Sequence, residues 1–477
     1  VTETELRGLI TDSLKLWGVW GRCVSTGDGL LVSTALGRRV LVRRAHAPER
    51  PARWIMQILS DKSGAAGLGR PAASVIGLLG ALRKALGGRQ TGRALRIVPS
   101  AGPASPPLPA RRRKTASEDP CASSAAPSAE TVPVFVVTGF LGSGKTTLIQ
   151  KLLREERLAR TAVIVNEFGE IGLDHEVLAS SSDALIRLST GCLCCAVRSD
   201  LVETLLDLHH RRGSGAVDFE RIIIETSGLA DPVPILQSLM TDPVLATLFV
   251  LDGVLTLVDA MHGPASVARH VEAQRQIAVA DRILITKTDI AAPSAAMLGE
   301  LRKLNPHAPH AFAPDDAATL DWLGEGGASR GTRRAAEILM AGDSAPRHGG
   351  GHESIVFKSA SPIPALALTL WLQALADHAG ERMLRVKGLV AVAEMPDRPA
   401  LVHGVQHVFA APEWLEAWPG AERMTRMVFI ATSMPRRWPA RLLEAIAEDV
   451  LDAQQPFNAT EPAPRPPGDN RVVVDLR

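Results

Sequence analysis

Residues 134–146 read Val-Phe-Val-Val-Thr-Gly-Phe-Leu-Gly-Ser-Gly-Lys-Thr, an apolar run that passes directly into the spacing G-x-x-x-x-G-K-[ST]. No other feature constrains the fold as strongly. A buried strand must end in a glycine turn that opens a helix, so that successive backbone N–H groups and the positive end of the helix dipole converge where a polyphosphate sits. The setting agrees: residues 134–137 fit a buried parallel strand, and residues 145–156 fit a helix with Leu148, Ile149, Leu152 and Leu153 on one face. Gly139, Gly142 and Gly144 permit the tight backbone and Ser143 completes the nucleotide-contacting loop. Lys145 is placed to reach the β- and γ-phosphates, Thr146 to offer its hydroxyl to Mg2+, and Thr147 to add a phosphate contact. A glycine turn that merely joins a strand to a helix would not need the whole pattern.

With 477 residues the chain is long enough for two or three domains. Its 46% hydrophobic content and formal charge of +2 describe a globular chain whose overall charge demands no nucleic acid partner. No basic segment followed by an apolar one opens the sequence, and the longest apolar stretch, residues 244–258, is broken by Asp252 and too short to span a bilayer. The expectation is therefore a cytoplasmic protein with no membrane partner. Three of the five cysteines fall in Cys192-Leu193-Cys194-Cys195, while Cys23 and Cys121 stand alone. In a reducing compartment such crowding points to metal binding or redox work rather than to a disulfide framework.

Composition and periodicity divide the chain. Residues 1–100 mix an amphipathic start (6–17), strand-like pieces (30–33 and 39–42) and a helix-like segment (73–86), an accessory α+β domain with no catalytic constellation. Residues 101–131 are rich in Pro, Ala and Ser, carry the basic cluster Arg111-Arg112-Arg113-Lys114, and read as a disordered linker. Residues 132–343 alternate apolar strands (134–137, 162–165, 184–188, 221–224, 254–258 and 282–285) with helical segments, the signature of a mostly parallel α/β sheet of the P-loop kind. A His/Gly linker at 344–353 leads to a smaller α+β domain at 354–452, with strands expected at 354–357, 384–392, 401–408 and 426–430 and helices at 365–379 and 440–451. Residues 453–477 form a Pro-rich tail.

The chemistry-bearing motifs fall at the carboxyl ends of the expected parallel strands, where ligands of such sheets gather. Glu225-Thr226-Ser227-Gly228 follows Ile222-Ile223-Ile224: the Glu225 carboxylate can hold Mg2+ directly or through water, and the Gly228 N–H can contact a γ-phosphate and so sense hydrolysis. Thr286-Lys287-Thr288-Asp289 occupies the place of a base-reading loop. A carboxylate at Asp289 accepts paired hydrogen bonds from N1–H and the exocyclic amine of guanine, which adenine cannot offer, and the Lys287 stem can cover the base; GTP is favoured over ATP. The thiolates of Cys192, Cys194 and Cys195 are soft donors suited to Zn2+ or Cu+, yet need a further group to complete a site. Glu170 or His175, in the segment where a switch loop would lie, could supply it. His348 and His352 flank three glycines and could sense metal or be incidental, while His403 and His407 read as surface or packing residues rather than ligands.

Taken in order, Gly139-Phe-Leu-Gly-Ser-Gly-Lys-Thr-Thr147, Asn166-Glu-Phe-Gly-Glu170, Gly191-Cys-Leu-Cys-Cys195, Glu225-Thr-Ser-Gly-Leu-Ala-Asp-Pro232 and Thr286-Lys-Thr-Asp289 resemble the CobW family of metallochaperone GTPases. Leu384-Arg-Val-Lys-Gly388, His403-Gly-Val-Gln406 and Met427-Val-Phe-Ile430 resemble that family's C-terminal domain. The resemblance covers residues 132–451 and leaves the first hundred residues and the linker outside. It implies a slow GTPase, related to the nickel-insertion GTPases for urease and hydrogenase, whose nucleotide state controls transfer of a transition metal to a client metalloprotein; together with the motifs above, the expectation is a Mg2+-dependent enzyme that loads Zn2+ or Co2+. It also implies a metal site at Cys192, Cys194 and Cys195 with Glu170 as fourth ligand, and is compatible with a homodimer. One departure is Thr286, which stands where many GTPases place an asparagine that contacts the base or braces the loop. The rival readings are a nucleotide-binding zinc sensor or storage protein without productive turnover, and an ATP-using kinase, for which no acceptor-activating acid is found.

Overall fold

The computed structural model describes residues 1–45, 52–59, 69–88, 131–166, 185–187, 196–313, 317–324, 348–349 and 352–454. The chain begins with helix Glu3–Leu16, whose first turn is closed by a capping box: the Thr2 hydroxyl accepts from the Glu5 N–H, and the Glu5 carboxylate accepts from the Thr2 N–H. An antiparallel meander follows in chain order, β1 (Gly21–Thr26), β2 (Gly29–Thr34), β3 (Arg39–Arg44), β4 (Trp54–Leu59) and β5 (Arg70–Ala72). Helix Val75–Leu86, capped by Ser74, then returns across it. Of these strands only β2 and β3 carry a readable alternation of apolar residues; β1 is an exposed edge and escapes sequence patterning.

The second sheet is parallel throughout: β6 (Val132–Gly139), β7 (Thr161–Asn166), β8 (Leu185–Arg187), β9 (Arg221–Thr226), β10 (Phe249–Asp259), β11 (Arg282–Thr286) and β12 (His310–Phe312) lie in the order β12-β11-β10-β6-β9-β7-β8. Its central strands read as unbroken apolar runs because both faces are covered. Val134, Val136, Ile222 and Ile224 pack with Leu201, Leu205 and Leu236 on one side, while Phe135, Val137 and Ile223 pack with Leu148 and Ile149 on the other. All six strands expected from sequence are present. The seventh, β12, is three residues long, too short for periodicity to reveal. The helix expected over 145–156 stops at Leu152, followed by a turn and a 3-10 segment, Glu156–Leu158.

The third sheet is antiparallel and comprises β13 (His348–Gly349), β14 (His352–Ser359), β15 (Met383–Val390), β16 (Ala400–Val405), β17 (Val408–Phe409), β18 (Glu413–Trp414) and β19 (Thr425–Thr432), with β19 paired to both β14 and β15. Helices Ala365–Ala379 and Trp438–Gln454 pack beside it. His348 and His352 are hairpin residues here, with Gly349 paired to His352.

The described residues of the N-terminal and C-terminal parts share an apolar cluster. Leu6, Leu9, Trp17, Leu78 and Leu82 belong to the same apolar cluster as Trp371, Leu375, Trp438 and Leu442. Polar bonds fix the register: Trp17 Nε1 donates to His378 Nδ1 (3.2 Å), Trp438 Nε1 to Ser13 Oγ (2.9 Å), and Arg53 pairs with Asp449 (2.6 Å). The third sheet also meets the parallel one. Val405 and Val408 enter the latter's core, and the largely enclosed Asp281, immediately before β11, takes Arg385 (3.0 and 3.1 Å) and Lys387 (2.5 Å) of β15. Burial pushes the Asp281 carboxyl up, but the two cations outweigh it and hold it at about 2. His403 of β16, packed beside Lys387 and Arg385, is driven well below its ordinary value by desolvation and then by those cations, which selects the packing alternative of the two read from sequence.

Candidate functional site

Four adjacent strands, β9, β6, β10 and β11, end on one side of the parallel sheet, and each delivers a polar loop there. The loop after β6 wraps tightly. Gly139 has φ of 146°, and a Cβ there would lie 2.5 Å from the Leu257 carbonyl oxygen and 2.7 Å from Ser143 Oγ. Gly144, at φ 89°, is the left-handed N-cap of helix Lys145–Leu152, a conformation that glycine adopts without steric cost. The Lys145 ammonium donates to the carbonyls of Gly139 (2.9 Å) and Phe140 (3.4 Å), which fixes it at the mouth of the loop. Ser143 Oγ is buried without a hydrogen-bond partner among the described residues.

Thr146 begins the helix beside β9 and donates from Oγ1 to Glu225 Oε1 at 2.7 Å. The hydroxyl and carboxylate that the sequence separates by 79 positions are thus neighbours. They form an all-oxygen donor pair suited to a hard cation such as Mg2+. The loop after β9 then passes under the phosphate loop. A Cβ on Gly228 would stand 2.8 Å from both N and Cα of Leu141, so the two backbones are in contact. Thr226 Oγ1 donates to Thr138 Oγ1 (2.8 Å), tying the ends of β9 and β6.

Thr286 ends β11 and donates from Oγ1 to the Ser143 carbonyl at 2.8 Å. The bracing that the asparagine-to-threonine departure was expected to remove is supplied by the hydroxyl. Lys287 sits at φ 57°, and its ammonium pairs with Asp259 Oδ2 at 2.6 Å. Asp259, the last residue of β10, also accepts from the Met261 N–H (2.7 Å) and His262 N–H (3.3 Å). Burial pushes the Asp259 carboxyl up, yet the Lys287 bond and the two backbone donors outweigh it and the net shift is downward. Asp289 is exposed beyond this turn. Asp259 was missed in sequence although it carries the signal that revealed Glu225, an acid closing an apolar strand; the expected strand simply ended one residue short.

The structure therefore brings together Gly139, Gly142, Ser143, Gly144, Lys145, Thr146, Glu225, Gly228, Thr286 and Lys287. Thr147 follows in the first turn of the same helix. Cys192, Cys194, Cys195, Glu170 and His175 lie outside the described residues. Among the described residues no group of three or more His, Cys, Asp or Glu side chains could hold a metal ion, and no helix is long and apolar enough to cross a membrane.

Residues 133–312 match the family model of the CobW/HypB/UreG nucleotide-binding domain, and residues 352–447 that of the cobalamin synthesis protein cobW C-terminal domain. The zinc chaperone YjiA of Escherichia coli (strain K12) is 32% identical over 310 residues, covering 64% of this chain and 95% of that protein. The zinc chaperone CobW of a Sinorhizobium species is 31% identical over 342 residues, covering 63% and 92%. Among solved structures, a zinc-bound triple mutant of the YjiA GTPase superposes with a TM-score of 0.50 at 29% identity, covering 67% of this chain and 98% of that one. Residues 1–132 precede both matched spans. With the phosphate loop, the strand-end acid and the Thr286–Lys287 turn assembled on a parallel sheet, and a relative matched over nearly its whole length, this chain belongs to the CobW family of P-loop GTPases.

Proposed function

We propose that the protein is a Mg2+-dependent GTP-hydrolysing metallochaperone, which binds zinc, or cobalt, through Cys192, Cys194 and Cys195 with Glu170 and passes it to a client metalloprotein under control of the nucleotide state. The observation that carries the hydrolytic half is the Thr146–Glu225 hydrogen bond of 2.7 Å, which joins the phosphate loop to the loop of Gly228. Relatives named as zinc chaperones support the choice of metal.

In this reading the backbone N–H groups of residues 142–146 and the N-terminus of helix Lys145–Leu152 bind the polyphosphate, with the Lys145 ammonium on its β- and γ-oxygens. Thr146 and Glu225 would hold the Mg2+, which when bound would supply charge neutralisation for the phosphates. Gly228 donates its N–H to the γ-phosphate, Asp289 accepts from guanine, and Asp259 keeps Lys287 extended over the base. Hydrolysis removes the acceptor of Gly228, the loop after β9 relaxes, and the hold on the metal loosens.

The test is zinc affinity by chelator competition under anaerobic conditions, with GDP and then with a non-hydrolysable GTP analogue and Mg2+. The proposal expects a nucleotide-dependent affinity that vanishes in Cys194→Ser, with Lys145→Ala abolishing turnover while retaining zinc. Equal zinc affinity with both nucleotides, alongside negligible turnover, would replace it with a nucleotide-binding zinc sensor or storage protein.

A further inference from the structure

Directly behind the loop of Gly228 lies helix Val271–Ala278, whose polar residues have no part in the reading above. Gln276 is 1% exposed and donates from Nε2 to two carbonyls of that loop, Gly228 (3.1 Å) and Ala230 (3.0 Å). Both partners are acceptors, so the amide is fixed in one orientation, and its Oε1 is buried without a hydrogen-bond partner among the described residues. One residue earlier, Arg275 pairs with Asp231 at 2.9 Å, and Asp231 in turn accepts from the Val233 N–H (3.0 Å) at the start of the next helix. Gln276 also lines a small cavity together with Leu141 and Ser143 of the phosphate loop. Residues 228–231 are therefore held between Leu141 on one side and two side chains of a single helix on the other.

That helix is held at several points. The Gln276 carbonyl accepts from Thr256 Oγ1 (2.7 Å), and Asn305 Nδ2 donates to the carbonyls of Ile277 (2.9 Å), Ala278 (3.3 Å) and Ala280 (2.9 Å) at its end. Ala278 packs against Leu384 and Ile430 of the third sheet, and three residues on comes Asp281, bound to Arg385 and Lys387. The helix is thus a short strut between the loop that faces the γ-phosphate and the C-terminal sheet.

We propose that Gln276 and Arg275 are positioning residues of the GTPase: they present the Gly228 N–H to the γ-phosphate, from a helix whose far end is anchored on the C-terminal domain. A bound γ-phosphate gains this N–H only if the loop is already set, so the two side chains contribute to binding of the triphosphate and to its hydrolysis, and not to binding of the diphosphate. The inference rests on the assignment of Gly228 as the γ-phosphate contact.

The experiment compares wild type with Gln276→Met, which keeps the volume and removes the donor, and Arg275→Gln, at a half-exposed position that threatens the fold less. GDP and non-hydrolysable analogue affinities are measured with Mg2+ alongside kcat for GTP, and melting temperatures confirm folding. Loss of a buried donor to two carbonyls is expected to lower kcat and analogue affinity about tenfold in Gln276→Met and about threefold in Arg275→Gln, with GDP affinity held within about twofold. A ratio of analogue to GDP affinity unchanged in both variants overturns the proposal, as does an equal fall for both nucleotides. Wild type separates this failure from that of the underlying assignment: if wild type itself does not distinguish the analogue from GDP, it is the Gly228 contact that fails.

Discussion

Gly228→Ala turns the contact between the two loop backbones into a measurable rate. The new Cβ would lie 2.8 Å from Leu141 N and Cα, and both are main-chain atoms of a loop braced by Thr286, so they cannot swing aside as a flexible side-chain tip would. Gly228 does not use a positive φ, so alanine is acceptable there in backbone conformation and only the space is lacking. Reaching even a tight van der Waals separation of about 3.4 Å requires the two loops to part by about 0.6 Å. An N–H···O bond to the γ-phosphate of about 2.9 Å would then lengthen to about 3.5 Å, beyond useful range. A charge-assisted hydrogen bond of this kind contributes about 1.5–3 kcal/mol, so kcat/KM for GTP and affinity for a non-hydrolysable analogue should fall by roughly 10- to 150-fold. GDP has no γ-phosphate and its affinity should stay within about twofold. The assay is competition against a fluorescent nucleotide together with single-turnover GTP hydrolysis. Hydrolysis within about threefold of wild type, or an equal loss of GDP affinity, refutes the reasoning.

Two further expectations concern the joints between the sheets. Asp281→Ala leaves Arg385 and Lys387 facing each other in a buried site and removes the acceptor of the Val254 N–H, which should cost about 3–5 kcal/mol by urea unfolding; a loss under about 1 kcal/mol would show that the pair is compensated. His378, enclosed by Trp17, Trp438 and Arg83, is pushed down to about 3 by burial and then by the Arg83 cation. A lowered imidazole stabilises the folded state fully above its ordinary value of 6.5 and loses that contribution as pH falls from there toward about 3, because the unfolded chain takes up a proton that the folded one refuses. Between pH 7.5 and 5, His378→Gln should therefore lose about 2 kcal/mol less than wild type. His307 and His403 shift in the same direction, so the difference between the two proteins is the quantity to read; parallel pH curves would remove His378 from the account.

The strands of the parallel sheet were legible because residues such as Ile222, Ile223 and Ile224 are buried on alternate faces and every position must be apolar. The site was legible where chemistry demands a fixed local spacing, as in Gly139 to Thr146, or an acid at a strand end, as at Glu225. What lies outside such spacing stayed hidden. Gln276 is an ordinary polar residue of an amphipathic helix until Gly228 and Ala230 are found across from it, and Asp259 becomes part of the site only when Lys287 reaches it.

By itself, then, the sequence determined the local events: a strand that turns through glycines into a helix, the acids and thiols available, and the order in which they come. Local backbone geometry and side-chain chemistry act over a few residues, and a sequence records them directly. Only the tertiary structure decided which distant groups meet: Thr146 with Glu225, Thr286 with the Ser143 carbonyl, Asp281 with Arg385, and the N-terminal helices with Trp371 and Trp438 in one core. Those pairings follow from the parallel strand order and from apolar burial, which is non-directional and sums over the whole chain, so that no short segment announces its partner in advance.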